Sequence, residues 1–195
     1  MDKKTRKKQE IIEKSIGVMF KNGYNGTGVK DITDAAGIPK GSLYNYFENK
    51  EDYAKEALNH YYREINKQNF KILDDKNLNP LDRIKQFYES MIDEFTDLSN
   101  CELGCFVGNM TQEMAGISNI IKETTNEIHN EITQKIKNCL IEALEKRDIS
   151  KNKNLDELSQ FITSSWQGSL LGIKATNNSQ ILNSFYKILV EVLLK

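Results

Sequence analysis

Two prolines and three cysteines are all that 195 residues supply of these two types. With little proline to interrupt it, the chain can be helix-rich. The small, odd cysteine count argues against a disulfide scaffold and fits a reducing compartment. No apolar run approaches the roughly 18–20 residues that a membrane span needs, so no membrane partner is expected. The opening Met1-Asp2-Lys3-Lys4-Thr5-Arg6-Lys7-Lys8 is charged and leads into an amphipathic helix instead of an apolar leader. The expected location is therefore cytoplasmic. No segment sustains strand-like alternation, and there is no internal repeat or low-complexity tract. Catalytic signatures are missing as well: no nucleophile beside a base, no phosphate-binding glycine loop, and only two histidines, His60 and His129, on separate segments. Neither enzyme activity nor a metal or other cofactor is expected.

What the chain does have is helical periodicity. A mean hydropathy of −0.58 with 38% hydrophobic residues describes a hydrophilic chain that still holds enough apolar side chains for a core. The pattern predicts a first helix from about Thr5 to Lys21, stopped at Asn22-Gly23. A long helix opens at Lys50-Glu51 and ends near Asp74. Asn79-Pro80 starts another, residues 103–115 form a shorter one, and Ile117, Ile121, Ile128, Ile132, Ile136, Leu140 and Leu144 mark the stripe of the most regular one at 117–146. Asn154 starts a helix to about Thr176, and Ser179 is expected to cap the last. The fold class is all-α.

Residues 27–47 carry the most information. They read as a short helix, a tight turn at Gly37 and a second short helix, with Val29, Ile32, Ala36, Ile38, Leu43 and Phe47 able to close a small core. This is the helix-turn-helix pattern, whose second helix enters the DNA major groove. Ser42, Asn45 and Lys40 suit base edges or nearby phosphates. The hydroxyls of Tyr44 and Tyr46 and the ammonium of Lys50 suit phosphate oxygens, and Gly41 permits close backbone approach. Tyr46 can alternatively pack on the helix that follows. The charge is polarised to match: residues 1–50 hold ten Lys/Arg against six Asp/Glu, while the rest hold seventeen against twenty-two. A head of +4 on a body of −5 is the electrostatic footprint of a DNA-binding domain with a non-DNA partner domain.

Through Thr27, Asp31-Ile32, Ala36-Gly37-Ile38, Lys40-Gly41-Ser42-Leu43-Tyr44, Phe47 and Lys50-Glu51, the chain resembles the TetR family of bacterial transcriptional repressors. Matched residue by residue, the resemblance implies DNA contact by Thr27, Lys30, Lys40, Gly41, Ser42, Tyr44, Asn45, Tyr46 and Lys50, with Thr27 alternatively a helix cap. A second stretch, Gly104-Cys105-Phe106-Val107-Gly108-Asn109 with Gln112-Glu113, Trp166-Gln167-Gly168 and Lys174-Ala175, is similar to the NemR/AcuR-like subgroup. That subgroup includes regulators that respond to electrophiles or acrylate-like acids.

The expected organisation is a three-helix DNA-binding domain at 1–49 and a helical bundle for ligand binding and dimerisation at 50–195. Tyr88, Met91, Phe106, Met110 and Trp166 can line an apolar effector pocket, with Asn109, Gln112, Trp166 and Gln167 as polar handles and Lys174 as a counter-charge or, alternatively, a solvent-facing residue. Ordinary core packing is the competing role for the apolar members. Cys101 and Cys105 lie four apart and can ligate a soft metal, form a redox couple or be alkylated; Cys105 falls where the subgroup would place a reactive thiol. Cys139, between Ile136 and Leu140, reads as core. The last two helices are the expected homodimer surface, through Phe161, Ile162, Leu170, Leu182, Phe185, Leu189 and Val190. The function expected is repression by a homodimer on a palindromic, double-stranded operator, released by a small-molecule effector. The alternatives are a thiol-based redox or electrophile sensor using Cys105, and a helical protein-interaction module without DNA binding.

Overall fold

The computed structural model describes residues 2–65, 67–96 and 104–195. Its elements are α1 (Lys3–Asn22), α2 (Val29–Ala36), a 3-10 helix (Lys40–Asn45), and α3 (Lys50–His60), which runs on as a π turn (Tyr61–Ile65). Then come α4 (Lys67–Asp74), α5 (Pro80–Thr96), α6 (Phe106–Met114), α7 (Asn119–Glu145), α8 (Leu155–Thr176) and α9 (Gln180–Ile188), the last followed by a π turn (Leu189–Leu193). No strand occurs among the described residues.

Local chemistry sets most of the helix ends. The Asp2 carboxylate accepts the Thr5 N–H at 2.7 Å, Asn49 accepts that of Asp52 at 2.8 Å, and Asn154 accepts those of Asp156 and Glu157. These are side-chain N-caps, which satisfy amides that have no partner within the helix. Asn79 accepts the Leu81 N–H at 2.9 Å, with Pro80 at the first helical position. Ser179 differs from expectation: it is already helical and makes no side-chain cap, while Asn178 accepts the Gln180 N–H at 3.0 Å. Gly104 has φ 67° and stands outside α6, so Gly104 and Gly108 do not share a helix.

The chain divides into two compact units: residues 1–65 with 106–126, and residues 66–105 with 127–195. In the first, Ile11, Ile12, Ile16 and Met19 of α1 are buried, as are Ile32 and Ala36 of α2, Leu43, Phe47, and Tyr53, Ala54, Ala57 and Leu58 of α3. Ser15 and Tyr53 share a hydrogen bond of 2.7 Å inside this core, and burial pushes the Tyr53 phenol up to about 12. The rings of Phe20, Tyr61 and Phe106 meet pairwise at 5.4–5.7 Å, joining α6 to this unit.

The second unit has a larger aromatic core. Tyr88, Trp166 and Phe185 lie mutually 5.0–5.4 Å apart, with Phe87 against Tyr88 and Phe95 against Trp166. Edge-on and tilted rings at these separations gain electrostatically as well as by area burial. Arg83 is 1% exposed and is paired with Glu142, which is also bonded to Lys76. These two cations hold the Glu142 carboxyl at about 2.

Candidate nucleic-acid interface and effector body

The turn of the helix-turn-helix is built by Gly37. It ends α2 in the left-handed conformation, φ 68° and ψ 36°, where a Cβ would be strained. Its N–H donates to the Asp34 carbonyl and that of Ile38 to Thr33. At the other end of α2, the Asp31 carboxylate accepts the Gly28 N–H at 2.7 Å. Pro39 follows the turn, and the second motif helix is a 3-10 helix, tightened by the Ser42 N–H donating to the Pro39 carbonyl at 2.8 Å.

Along this short helix and the two residues after it, one apolar side chain from each turns inward. Leu43 and Phe47 are buried to 0% and 1% exposure. Lys40, Gly41, Tyr44 and Asn45 are exposed, Tyr44 at 56%, as is Lys30 on α2; Ser42 and Tyr46 are half-buried. The side chains of Lys30, Lys40, Ser42, Tyr44, Asn45 and Tyr46 hold no hydrogen bond or ion pair among the described residues. A Cβ built at Gly41 meets nothing within 4 Å, so the protein's own packing does not require glycine there.

Thr27 and Lys50 are placed differently. The Thr27 side chain is buried, and its hydroxyl donates to the Gly23 carbonyl at 2.7 Å, at the end of α1. The Lys50 ammonium donates to the Tyr24 carbonyl at 2.9 Å and to the Thr27 carbonyl at 3.0 Å, and lies 4.0 Å from the Tyr24 ring centroid. Both residues organise the turn between α1 and α2.

The nine residues expected to bind an effector fall into both units. Tyr88, Met91 and Trp166 are buried in the second, where the Tyr88 hydroxyl has no hydrogen-bond partner among the described residues and burial raises its pKa. Cys105, half-buried, Gln167, half-buried, and Lys174, exposed on the last turn of α8, also belong to the second unit. Phe106 and Met110, both buried, and the half-buried Asn109 belong to the first. Sequence reasoning missed a polar group beside Met91: Ser90 donates to Asn69, which in turn bonds the Met91 sulfur and the Glu94 carboxylate. Burial raises the Glu94 pKa, and the Asn69 bond partly offsets this. A cavity of about 300 Å³ between α7 and α8 is lined by polar side chains, among them His129, Thr133, Lys137 and Gln160, and by none of the nine.

Of the thiols, Cys139 donates to the Leu73 carbonyl at 3.4 Å within the core, and burial pushes it up to about 11. Cys101 lies outside the described residues, so its pairing with Cys105 is not part of this structure.

Of the expected dimer residues, Ile162, Leu170, Leu182, Phe185 and Leu189 are buried within the chain itself. Their area is already covered by their own helices. The apolar side chains that α8, α9 and the π turn expose are Phe161, Leu171, Ile188 and Val192, with Val190 half-buried. Ile188 and Val192 are four apart, a helical-face signal that was available in the sequence.

A helix-turn-helix with an uncommitted row of lysine, hydroxyl and amide side chains, in an all-helical chain, defines a DNA-binding transcriptional regulator. Comparison with known proteins makes this specific. The family described as "Bacterial regulatory proteins, tetR family" matches residues 11–57, and that described as "Tetracyclin repressor-like, C-terminal domain" matches residues 80–189. The HTH-type transcriptional repressor DhaR of Mycobacterium sp. strain GP1 is 30% identical over 191 residues, 98% of this chain and 94% of that one. The transcriptional regulator AcuR of Cereibacter sphaeroides is 29% identical over 180 residues, covering 91% and 80%. The crystal structure of regulatory protein TetR from Rhodobacter sphaeroides superposes with a TM-score of 0.81 at 26% identity, covering 92% of this chain and 94% of that one. The chain belongs to the TetR family of bacterial transcriptional regulators. It is a ligand-responsive transcriptional repressor of that type.

Proposed function

We propose that two copies of this chain bind a palindromic operator, each placing its Lys40–Asn45 helix in the major groove, and that a small-molecule effector releases them. In this reading Ser42 and Asn45 face base edges. Lys30, Lys40, Tyr44 and Tyr46 reach bases or phosphates, and the backbone at Gly41 lies against the duplex. Thr27 and Lys50 complete the contact region by holding the turn that precedes α2. The observation that carries the reading is the outward row of donors with no partner among the described residues, beside two fully buried apolar anchors. Phosphate contacts would position the head and base contacts would specify the sequence.

The functional division is placed at residue 49, with residues 1–49 for DNA and 50–195 for effector binding and dimerisation. Within the second unit the effector site is assigned to Tyr88, Met91, Cys105, Trp166, Gln167 and Lys174, while Phe106, Asn109 and Met110 belong to the first unit. The dimer surface is assigned to Phe161 and Val190 together with the exposed Leu171, Ile188 and Val192. No catalysis, cofactor or membrane association enters this account, and the chain acts in the cytoplasm. An effector that prefers one separation of the two heads shifts the equilibrium by its differential affinity for the two states.

A second reading rests on the half-buried Cys105, one residue before α6, in contrast to the buried Cys139. Alkylation of that thiol would replace effector binding as the releasing event, and Cys105→Ser would then abolish release by an electrophile. For the main reading, Tyr44→Ala is expected to weaken binding to an enriched duplex about tenfold, on the order of 1.4 kcal/mol, with the dimer intact by light scattering. Unchanged affinity in a gel shift removes the recognition-helix assignment.

A further inference from the structure

One residue far from the helix-turn-helix in sequence is fastened to it. The Glu113 carboxylate, near the C-terminal end of α6, accepts the Tyr24 N–H at 2.8 Å and the Asn25 N–H at 2.6 Å. The carbonyls of the same turn are held by Lys50, which donates to Tyr24 and Thr27. Backbone donors and acceptors of one short turn are thus gripped by opposite charges from two different helices. All of these residues lie in one compact unit.

Gly23 gives an independent sign that this grip shapes the chain. It has φ 74°, and a Cβ built on it falls 2.6 Å from the Glu113 Oε2. Any side chain at position 23 would push the carboxylate off the turn. Helix stability alone does not account for the arrangement, because the macrodipole disfavours an anion at the C-terminal end of α1. What the bonds do is fix the direction in which the chain leaves α1 and enters α2, which begins at Val29 and carries Lys30.

We propose that Glu113 is a positioning residue for operator binding. It sets the α1–α2 turn and thereby the orientation of Lys30 and the 3-10 helix, so that the affinity of the head depends on α6. This inference rests on the DNA-binding reading above. It is tested with a duplex enriched from a random-sequence pool on the wild-type protein, by fluorescence anisotropy of wild type, Glu113→Ala, Glu113→Gln and Lys50→Met. Glu113→Ala is expected to bind about tenfold more weakly, as when the competent fraction falls to about a tenth. Glu113→Gln, which keeps one acceptor oxygen, falls between the two. Lys50→Met adds little to Glu113→Ala in the double variant, because both act on one turn. The urea midpoint stays at the wild-type value, and faster hydrogen exchange is confined to the amides of Tyr24 and Asn25. Equal affinity of wild type and Glu113→Ala for that duplex overturns the positioning role and leaves DNA binding intact. So does a loss of affinity that merely tracks a fall in the urea midpoint. A wild-type protein that enriches no duplex overturns the DNA-binding reading itself, and the positioning role with it.

Discussion

The 3-10 helix and the aromatic core of the second unit make opposite use of their side chains. Between Lys40 and Phe47 only Leu43 and Phe47 are buried, and the polar side chains, exposed or half-buried, have no partner among the described residues. Around Tyr88, Trp166 and Phe185 nearly every side chain is covered by another, and the one polar atom carried inward by Tyr88 has no bond among the described residues. A surface prepared for an outside partner leaves donors uncommitted. A packed interior commits its area, and an isolated buried hydroxyl there costs roughly 1–3 kcal/mol that a hydrogen-bonding ligand can recover. The contrast teaches that substitutions in the first region should change duplex binding with little effect on stability, and substitutions in the second should change stability with little direct effect on duplex binding.

Trp166→Ala gives the largest expected break in that contrast. The ring is 5% exposed and contacts Tyr88, Phe95 and Phe185. Its removal is expected to cost about 3–5 kcal/mol in chemical denaturation, and a midpoint within experimental error of wild type would deny it a place in the core. Glu142→Gln comes next, because it leaves the Arg83 guanidinium buried without its carboxylate. The expected cost at neutral pH is about 2 kcal/mol, below the range for fully buried pairs because Glu142 is partly exposed. Its pH dependence has a definite sign. The folded carboxyl titrates at about 2 against an ordinary value of 4.5, so its stabilisation is full above about pH 4.5 and is lost as pH falls toward 2. The gap between wild type and variant should therefore close across that window; a constant gap would mean that the ion pair is not its source.

Two glycines sharpen the comparison inside the head. Gly37→Ala places a Cβ at φ 68° and is expected to cost about 1–2 kcal/mol, read as a lower thermal midpoint. Gly41→Ala meets open space and should change stability by less than about 0.5 kcal/mol, yet it is expected to weaken duplex binding if the proposed approach of this backbone to DNA holds. Matched losses of stability and affinity in both variants would erase the distinction between a glycine the fold needs and one the interface needs.

The head was legible in the sequence because its signals are local. Gly37, Pro39 and the spacing of Ile32, Ala36, Leu43 and Phe47 lie within sixteen residues and act through backbone conformation and short-range burial. The caps at Asn79 and Asn154 are local in the same sense. Ser179 was misread because Asn178, its neighbour, supplies the cap, and the two residue types carry the same propensity. The dimer residues were harder for a different reason. Periodicity marks Ile162, Leu170, Leu182 and Leu189 as apolar positions but cannot distinguish burial in the chain's own core from burial against a copy. The grip of Glu113 on Tyr24 and Asn25 joins residues 88 and 89 positions apart, through backbone amides that have no sequence signature. The all-α class and the exposed polar row of the helix-turn-helix follow from composition and spacing; the effector residues do not, since a pocket and a core draw on the same aromatic and apolar types.

The claim that most depends on the outward row is that the head binds the phosphate backbone of duplex DNA. It is tested most directly by titrating salt against the affinity of wild-type protein for an enriched duplex. Counterion release predicts that log K falls linearly with log salt, with a slope of about −0.9 per phosphate contacted; replacing Lys40 with Met should make that slope shallower by about one. An affinity indifferent to salt, or a slope the same with and without the Lys40 ammonium, would contradict the account.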